Sequence, residues 1–165
     1  MALTQISTGM LASGDGTVDL NIDNGTFVVD VSTSRVGIGT SSPRSLLDLG
    51  AGSTGATQIS WHTDSTTSYG NIWQSLNGAR TIIANGLKGS DSVNNGFEAS
   101  TSNTWGRTAI EQDYGLIKFY TNAATATTYG ASYTPSERMR IDSSGRVGIG
   151  TSSPSAALHV SASPE

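Results

Sequence analysis

Nine residues, Arg-Val-Gly-Ile-Gly-Thr-Ser-Ser-Pro, occur twice in this chain, from Arg35 to Pro43 and again from Arg146 to Pro154. An identical nonapeptide at that separation marks an internal repeat, and repeats of a short unit are the sequence sign of elongated, arrayed architecture. In each copy the apolar residues alternate with glycine: Val36 and Ile38 against Gly37 and Gly39, Val147 and Ile149 against Gly148 and Gly150. Period two predicts a strand. One face carries β-branched side chains, and the other carries none, so that a second backbone can approach it closely. Pro43 and Pro154 lack the ladder donor and fix φ, which predicts the end of each strand and a turn of the chain.

A second strand follows each proline, Leu47-Asp48-Leu49 in the first copy and Leu158-His159-Val160 in the second, with the aliphatic residues on one face and Asp48 or His159 on the other. Upstream of the second copy, Met139 and Ile141 alternate with Arg138, Arg140 and Asp142 before Ser143-Ser144-Gly145. A three-residue connection ending in glycine predicts a hairpin over 137–151. The first copy has Ser32-Thr33-Ser34 at its turn, without the glycine, and its upstream strand, Phe27, Val29 and Val31, is one residue out of phase with Met139 and Ile141. The two copies are therefore expected to depart from each other there.

Val147, Ile149, Leu158 and Val160 contribute about 1.5–3 kcal/mol each when buried, less in total than the entropy cost of ordering the backbone that carries them. Each unit is therefore expected to fold only against neighbouring chains. Two copies are too few for a solenoid to bury itself.

Composition points the same way. Charged residues are 13% of the 165, and there are 20 glycines, with abundant serine and threonine; such a chain makes strands and turns rather than helices. Cysteine is absent, which excludes a disulfide framework, a thiol nucleophile and a zinc–thiolate site. A net charge of −4 with nine scattered Lys and Arg argues against nucleic acid as a partner, because counterion release needs clustered cations. No run approaches the ~20 apolar residues of a membrane span, and the N-terminus lacks a signal-peptide pattern. Work outside a cell would then need release by lysis rather than secretion.

Along the chain, residues 1–16 read as an extended leader that attaches to a partner. Residues 17–50 form the first repeat unit, with strict alternation of Val18, Leu20 and Ile22, then an Asn24-Gly25 hairpin signal. Residues 51–121 begin with a small-residue linker and hold all three tryptophans, with six strand candidates at 57–63, 71–76, 80–84, 96–100, 105–111 and 116–120. Short strands with regular turns predict a β-sandwich-like knob. Residues 122–136 read as an extended connector, and 137–165 as the second repeat unit.

Three strings then combine: the duplicated nonapeptide, Ser136-Glu137-Arg138-Met139-Arg140-Ile141-Asp142-Ser143-Ser144-Gly145, and Gly115-Leu116-Ile117-Lys118-Phe119-Tyr120-Thr121-Asn122. Together they resemble the tail-fibre proteins of tailed bacteriophages, over about a third of the chain and hardly at all in the aromatic knob. The resemblance implies an elongated, all-β, parallel homotrimeric fibre of intertwined chains, with stalk hairpins flanking the knob. It implies a structural protein of the virion, made in the bacterial host cytoplasm, non-enzymatic and without cofactor or metal. Its N-terminal segment would attach to other tail or capsid proteins, and its knob would adsorb to host-surface glycan. Many relatives continue past this repeat into an intramolecular-chaperone endopeptidase domain that is later cut away. Within such a fibre the trimer contacts are expected at Val36, Gly37, Ile38, Gly39, Val147, Gly148, Ile149, Gly150, Leu158 and Val160. The alternatives are a polysaccharide-degrading tailspike, a capsid head fibre or decoration protein, and a self-assembling filament.

Enzymatic tailspikes use paired carboxylates. Glu111 and Asp113, two apart, would share one strand face with Cα atoms about 6.5–7 Å apart, a spacing that admits an inverting pair; the favoured reading is that they flank a turn and are solvated. His62 and His159 lack metal-ligand spacing, and His159 is expected to face outward from the stalk. Trp61, Trp73, Trp105 and Tyr114 could offer flat faces to sugar rings. In a knob poor in large aliphatics the same rings are the expected core, with one tryptophan exposed.

Overall fold

The computed structural model describes residues 20–22, 26–50, 59–64, 67–75, 80–90 and 96–162. Among them the chain is all-β, with several sheets, no helix and no barrel. The expected leader at 1–16, the Asn24-Gly25 turn and the linker at 51–55 lie outside the described residues. Two compact units divide the chain, Met1–Ala51 and Gly52–Glu165.

The first unit is a four-stranded sheet of β1 (Leu20–Ile22), β2 (Phe27–Asp30), β3 (Arg35–Ile38) and β4 (Leu47–Asp48), in that order. β1, β2 and β3 pair antiparallel, while β4 returns parallel to β3. The return is made by the Thr40–Pro43 turn. Gly37 is buried beneath it, and a Cβ there would lie 2.6 Å from the Thr40 carbonyl oxygen. The close approach that glycine permits is thus used by the chain's own turn.

The second unit contains an eight-stranded sheet. Its members are β5 (Ile59–Asp64), β6 (Thr67–Gln74), β7 (Arg80–Asn85), β10 (Trp105–Asp113), β11 (Leu116–Thr125), β13 (Glu137–Ile141), β14 (Val147–Ile149) and β15 (Leu158–Val160). They are ordered β15-β14-β13-β11-β10-β7-β6-β5, antiparallel except where β15 returns parallel to β14. A small sheet of β8 (Leu87–Gly89), β9 (Phe97–Ala99) and β12 (Ser132–Tyr133) packs on one face. Between the layers lie Trp73, Ile82, Ala84, Leu87, Phe97, Ala109 and Tyr120. Trp73 meets Phe97 edge-on at 5.9 Å between centroids, and Phe97 meets Tyr120 at 5.7 Å, within the favourable range for aromatic pairs.

Three expectations change here. The second repeat is not a body apart from the knob: β13 pairs with β11, from Ile117 opposite Ile141 to Tyr120 opposite Glu137. The neighbour that the repeat needs is therefore supplied by its own chain. The connector, expected as an extended return between two bodies, is itself part of the sheets, since β11 runs on to Thr125 and Ser132–Tyr133 pairs with β9.

The third change concerns the two copies, which do not diverge in register. Phe27 faces Ile38 and Val29 faces Val36 in the first; Met139 faces Ile149 and Ile141 faces Val147 in the second. The extra residue is taken up in the turn, four residues between Asp30 and Arg35 against three between Asp142 and Arg146. Ser34 takes the left-handed conformation, φ 58°, that Gly145 supplies at φ 76° in the other copy. In both turns the preceding aspartate is the organiser. Asp30 accepts from the Thr33 and Ser32 hydroxyls and the Thr33 N–H, Asp142 from the Arg146 and Ser144 N–H groups and the Arg146 side chain.

Candidate functional site

Successive residues of a strand point to opposite faces, and in the large sheet the two faces are unlike. On the outer one, Ile59, Ile72, Ile83, Ile110, Phe119, Met139, Ile149 and Val160 are cross-strand partners in one unbroken row, one apolar residue from each of the eight strands. A second, shorter row joins Ile117, Ile141, Val147 and Leu158. Ile59, Ile83, Ile110, Ile117, Ile149, Leu158 and Val160 are exposed, Ile83 by 50% and Val160 by 63%, while Ile72, Phe119, Met139, Ile141 and Val147 are half-buried. A groove of about 410 Å³ lies over Ile83, Ile110 and Phe119. Together these residues make one contiguous apolar band across the sheet. The first unit repeats the pattern, with Ile22, Phe27 and Ile38 in one row, and Val29, Val36 and Leu47 in another.

The covered face is the more polar one. Arg80, Glu111, Asp113 and Lys118 lie on it as direct or diagonal cross-strand neighbours. Arg80 reaches Glu111 at 2.5 Å and Asp113 at 3.1 Å, and Lys118 lies 3.2 Å from each carboxylate. The Tyr120 hydroxyl donates to Glu111 Oε2 at 2.7 Å. Two cations balance two anions, the condition under which buried charge is tolerated. Burial pushes the Asp113 carboxyl up, but the hydrogen bonds and charges of Lys118 and Arg80 outweigh it and hold the group below the usual carboxylate range. Burial, and then the hydrogen bond to Glu111, push the Tyr120 hydroxyl well above its usual value.

The expectation of a solvated carboxylate pair is thus overturned: Glu111 is fully buried. Asp113 does precede the turn, where Tyr114 (φ 41°) and Gly115 (φ 81°) form a two-residue left-handed connection between β10 and β11. Neither geometry suits an inverting pair. A general acid needs a raised pKa, Asp113 has a lowered one, and a polymer cannot reach Glu111.

The aromatic candidates do not converge. Trp73 is in the core, 2% exposed, and is unavailable to a ligand; Trp61, Trp105 and Tyr114 are 55%, 47% and 75% exposed, so two tryptophans rather than one reach the surface. Trp105 and Tyr114 sit at opposite ends of the nine-residue β10 and its turn, about 30 Å apart at strand rise. Trp61 covers Gly70, where a Cβ would meet its ring at 3.0 Å, and shares the outer face with Ile59.

Of the expected interface residues, Val36, Ile38, Val147, Ile149, Leu158 and Val160 belong to the outer rows. Gly37 and Gly148 face inward under their own turns. Gly39 and Gly150 hold φ of 74° and 69° where the strand bends away. His159 is half-buried rather than outward-facing, its Nδ1 accepting the Ser155 N–H at 3.3 Å; the side chain of His62 lies outside the described residues. Among the described residues no cluster of His, Asp and Glu has metal-site geometry, and no helix is long and apolar enough to cross a membrane.

Two features escaped the sequence reading. Lys88 and Glu98, directly opposed on β8 and β9, form a buried ion pair at 2.7 Å. Arg107 is fully buried and spends its guanidinium on the Trp105, Thr125 and Asn103 carbonyls and the Thr127 hydroxyl. Alternation with Ala109 and Glu111 is the signal that places Arg107 on the inner face. No protein-family model matches the chain, and no curated protein matches it.

Proposed function

We propose that this chain is a structural virion fibre protein of the tail-fibre type, which works as a parallel homotrimer and serves adsorption to the host surface. The observation that carries the reading is the outer face. It presents an apolar residue from every strand of the large sheet in one row, in addition to the core that the inner face already buries. Burial of each such side chain is worth about 1.5–3 kcal/mol, which a partner surface recovers.

The partner that fits is another copy. Each unit carries apolar rows in the same register at its repeat, so each by itself offers a surface that the same unit of another copy can cover. Between the apolar rungs stand Thr81, Thr108, Gln112 and Thr121, so like faces meet without like charges.

Native mass measurement of the full chain tests this. The expected mass is about three times 17.0 kDa, and a monomer overturns the reading. Ile83→Glu with Ile110→Glu, both at exposed positions, is expected to give a folded monomer. The same assembly face would serve a capsid head fibre, and labelling the protein on the particle separates the two.

A further inference from the structure

We propose that Trp61 of one copy seats in the outer-face groove of the next and is the anchor that holds the copies together. This deepens the homotrimer reading above and rests on it, naming the side chain and the pocket through which the copies meet. The groove, about 410 Å³, is walled by Ile83, Ile110 and Phe119 on one side and by Asn85, Thr108 and Thr121 on the other. Its size is in the range of pockets that take an aromatic ring system, and none of these six walls is charged.

The ring is placed to be inserted. Trp61 lies on β5, the last strand of the sheet, where Gly70 of the neighbouring β6 lets the indole rest against the backbone: a Cβ at Gly70 would meet the ring at 3.0 Å. The residue nonetheless remains 55% exposed. A large ring already held against its sheet loses little freedom when a partner covers it, and tryptophan is prominent among the side chains that dominate binding. Its own chain does not use it in this way. Trp61 is not a wall of the groove, which centres on β10, two strand spacings or about 10 Å beyond β6.

Register brings the ring and the groove together. Trp61, Gly70, Asn85, Thr108 and Thr121 are successive cross-strand partners in one row, so both features stand at the same height along the strands. Rotation about an axis along the mean strand direction leaves every residue at its own height. In a parallel trimer the ring of one copy is therefore level with the groove of the next. Contact between two different patches is heterologous, and three such contacts close a ring. A covered indole N–H needs an acceptor, and the exposed Asn85, Thr108 and Thr121 offer one on the wall that shares its row. The hydrocarbon of the ring faces Ile83 and Ile110.

The chain has no cysteine, so Thr121→Cys carries a single bimane label, which tryptophan quenches on contact, at the rim of the groove. Native mass and emission are read on the same full-length sample. The expected result is a trimer with low emission that recovers severalfold when Trp61→Phe is added, while Trp105→Phe leaves it low. Labelled Trp61→Phe chains are expected to dim again on exchange with unlabelled chains that keep Trp61, which puts the quencher on another copy. Trp61→Ala, at an exposed position, is expected to raise the concentration at which the trimer dissociates about thirtyfold, the loss of one dominant side chain, with circular dichroism unchanged. That variant needs no label and decides alone if the bimane blocks assembly. A trimer whose emission ignores Trp61, or whose dissociation is unchanged in Trp61→Ala, overturns the contact and leaves the fibre reading standing. A monomeric unlabelled parent overturns both.

Discussion

Asp48 and His159 accept the same hydrogen bond in the two repeats: Asp48 Oδ2 takes the Arg44 N–H at 2.8 Å, and His159 Nδ1 takes the Ser155 N–H at 3.3 Å. Each lies opposite the buried repeat glycine, Gly37 or Gly148, on the parallel return strand. The position requires an acceptor, not a particular residue. His159→Asp is therefore expected to melt as the parent does, while His159→Leu loses one side-chain-to-backbone hydrogen bond and about 2–4 °C, as a thermal melt followed by circular dichroism would register.

Tyr114 holds φ 41° at the tip of the β10–β11 hairpin while its side chain is 75% exposed. Left-handed backbone costs a bulky residue roughly 1 kcal/mol that glycine avoids, and little packing is lost on truncation. Tyr114→Gly is expected to raise the melting temperature by about 2–4 °C. A lower melting temperature would mean that the ring makes contacts in the assembled protein that the single chain does not display.

Removing Glu111 leaves Arg80 and Lys118 on the covered face without the carboxylate they share. Breaking a buried charge network from one side costs about 3–5 kcal/mol, so Glu111→Ala should show a large loss in urea unfolding. Glu111→Gln keeps the shape but not the charge and should fall between the two. If Glu111→Ala unfolds like the parent, the network carries no stability.

Acid should act through four aspartates. Hydrogen bonds from Thr33 and Ser32 hold Asp30 below the ordinary carboxylate value of 3.8, as do the Arg44 and Gly50 N–H groups for Asp48 and the Arg146 N–H and side chain for Asp142. For Asp113, burial opposes the effect, but Lys118 and Arg80 outweigh it. A depressed folded pKa contributes stability that is present above the unfolded value and lost as pH falls through the folded one. Melting temperatures are expected to be level above about pH 5 and to fall on acidification below about 3.8. A rise over that interval would contradict the assignments.

The strands were legible because period two survives in single residues: six of the knob's strand candidates match β5, β6, β7, β9, β10 and β11 within a few residues. Which face is inside was not. In β10 the alternation of Arg107, Ala109 and Glu111 with Thr108 and Ile110 sets the isoleucine outward and the ions inward, and only the partners Arg80, Lys118 and Tyr120, far away in sequence, make that tolerable. Sequence spacing also separated the second repeat from the knob, because pairing of Phe119 with Met139 is a long-range contact that local pattern cannot announce. Which tryptophan is core was hidden for the same reason, since Trp73 and Trp61 differ in what covers them and not in local pattern.

The outer row ends in Met139, Ile149 and Val160, the last residues of the sheet in chain order. Until they arrive, the ten-residue β11 has one side of its backbone unpaired and the row stops at Phe119. A partner that reads the full width of the row engages only a finished sheet. Chains broken off early would lack the matching rungs, so quality control against incorporating fragments would be written into the strand order itself.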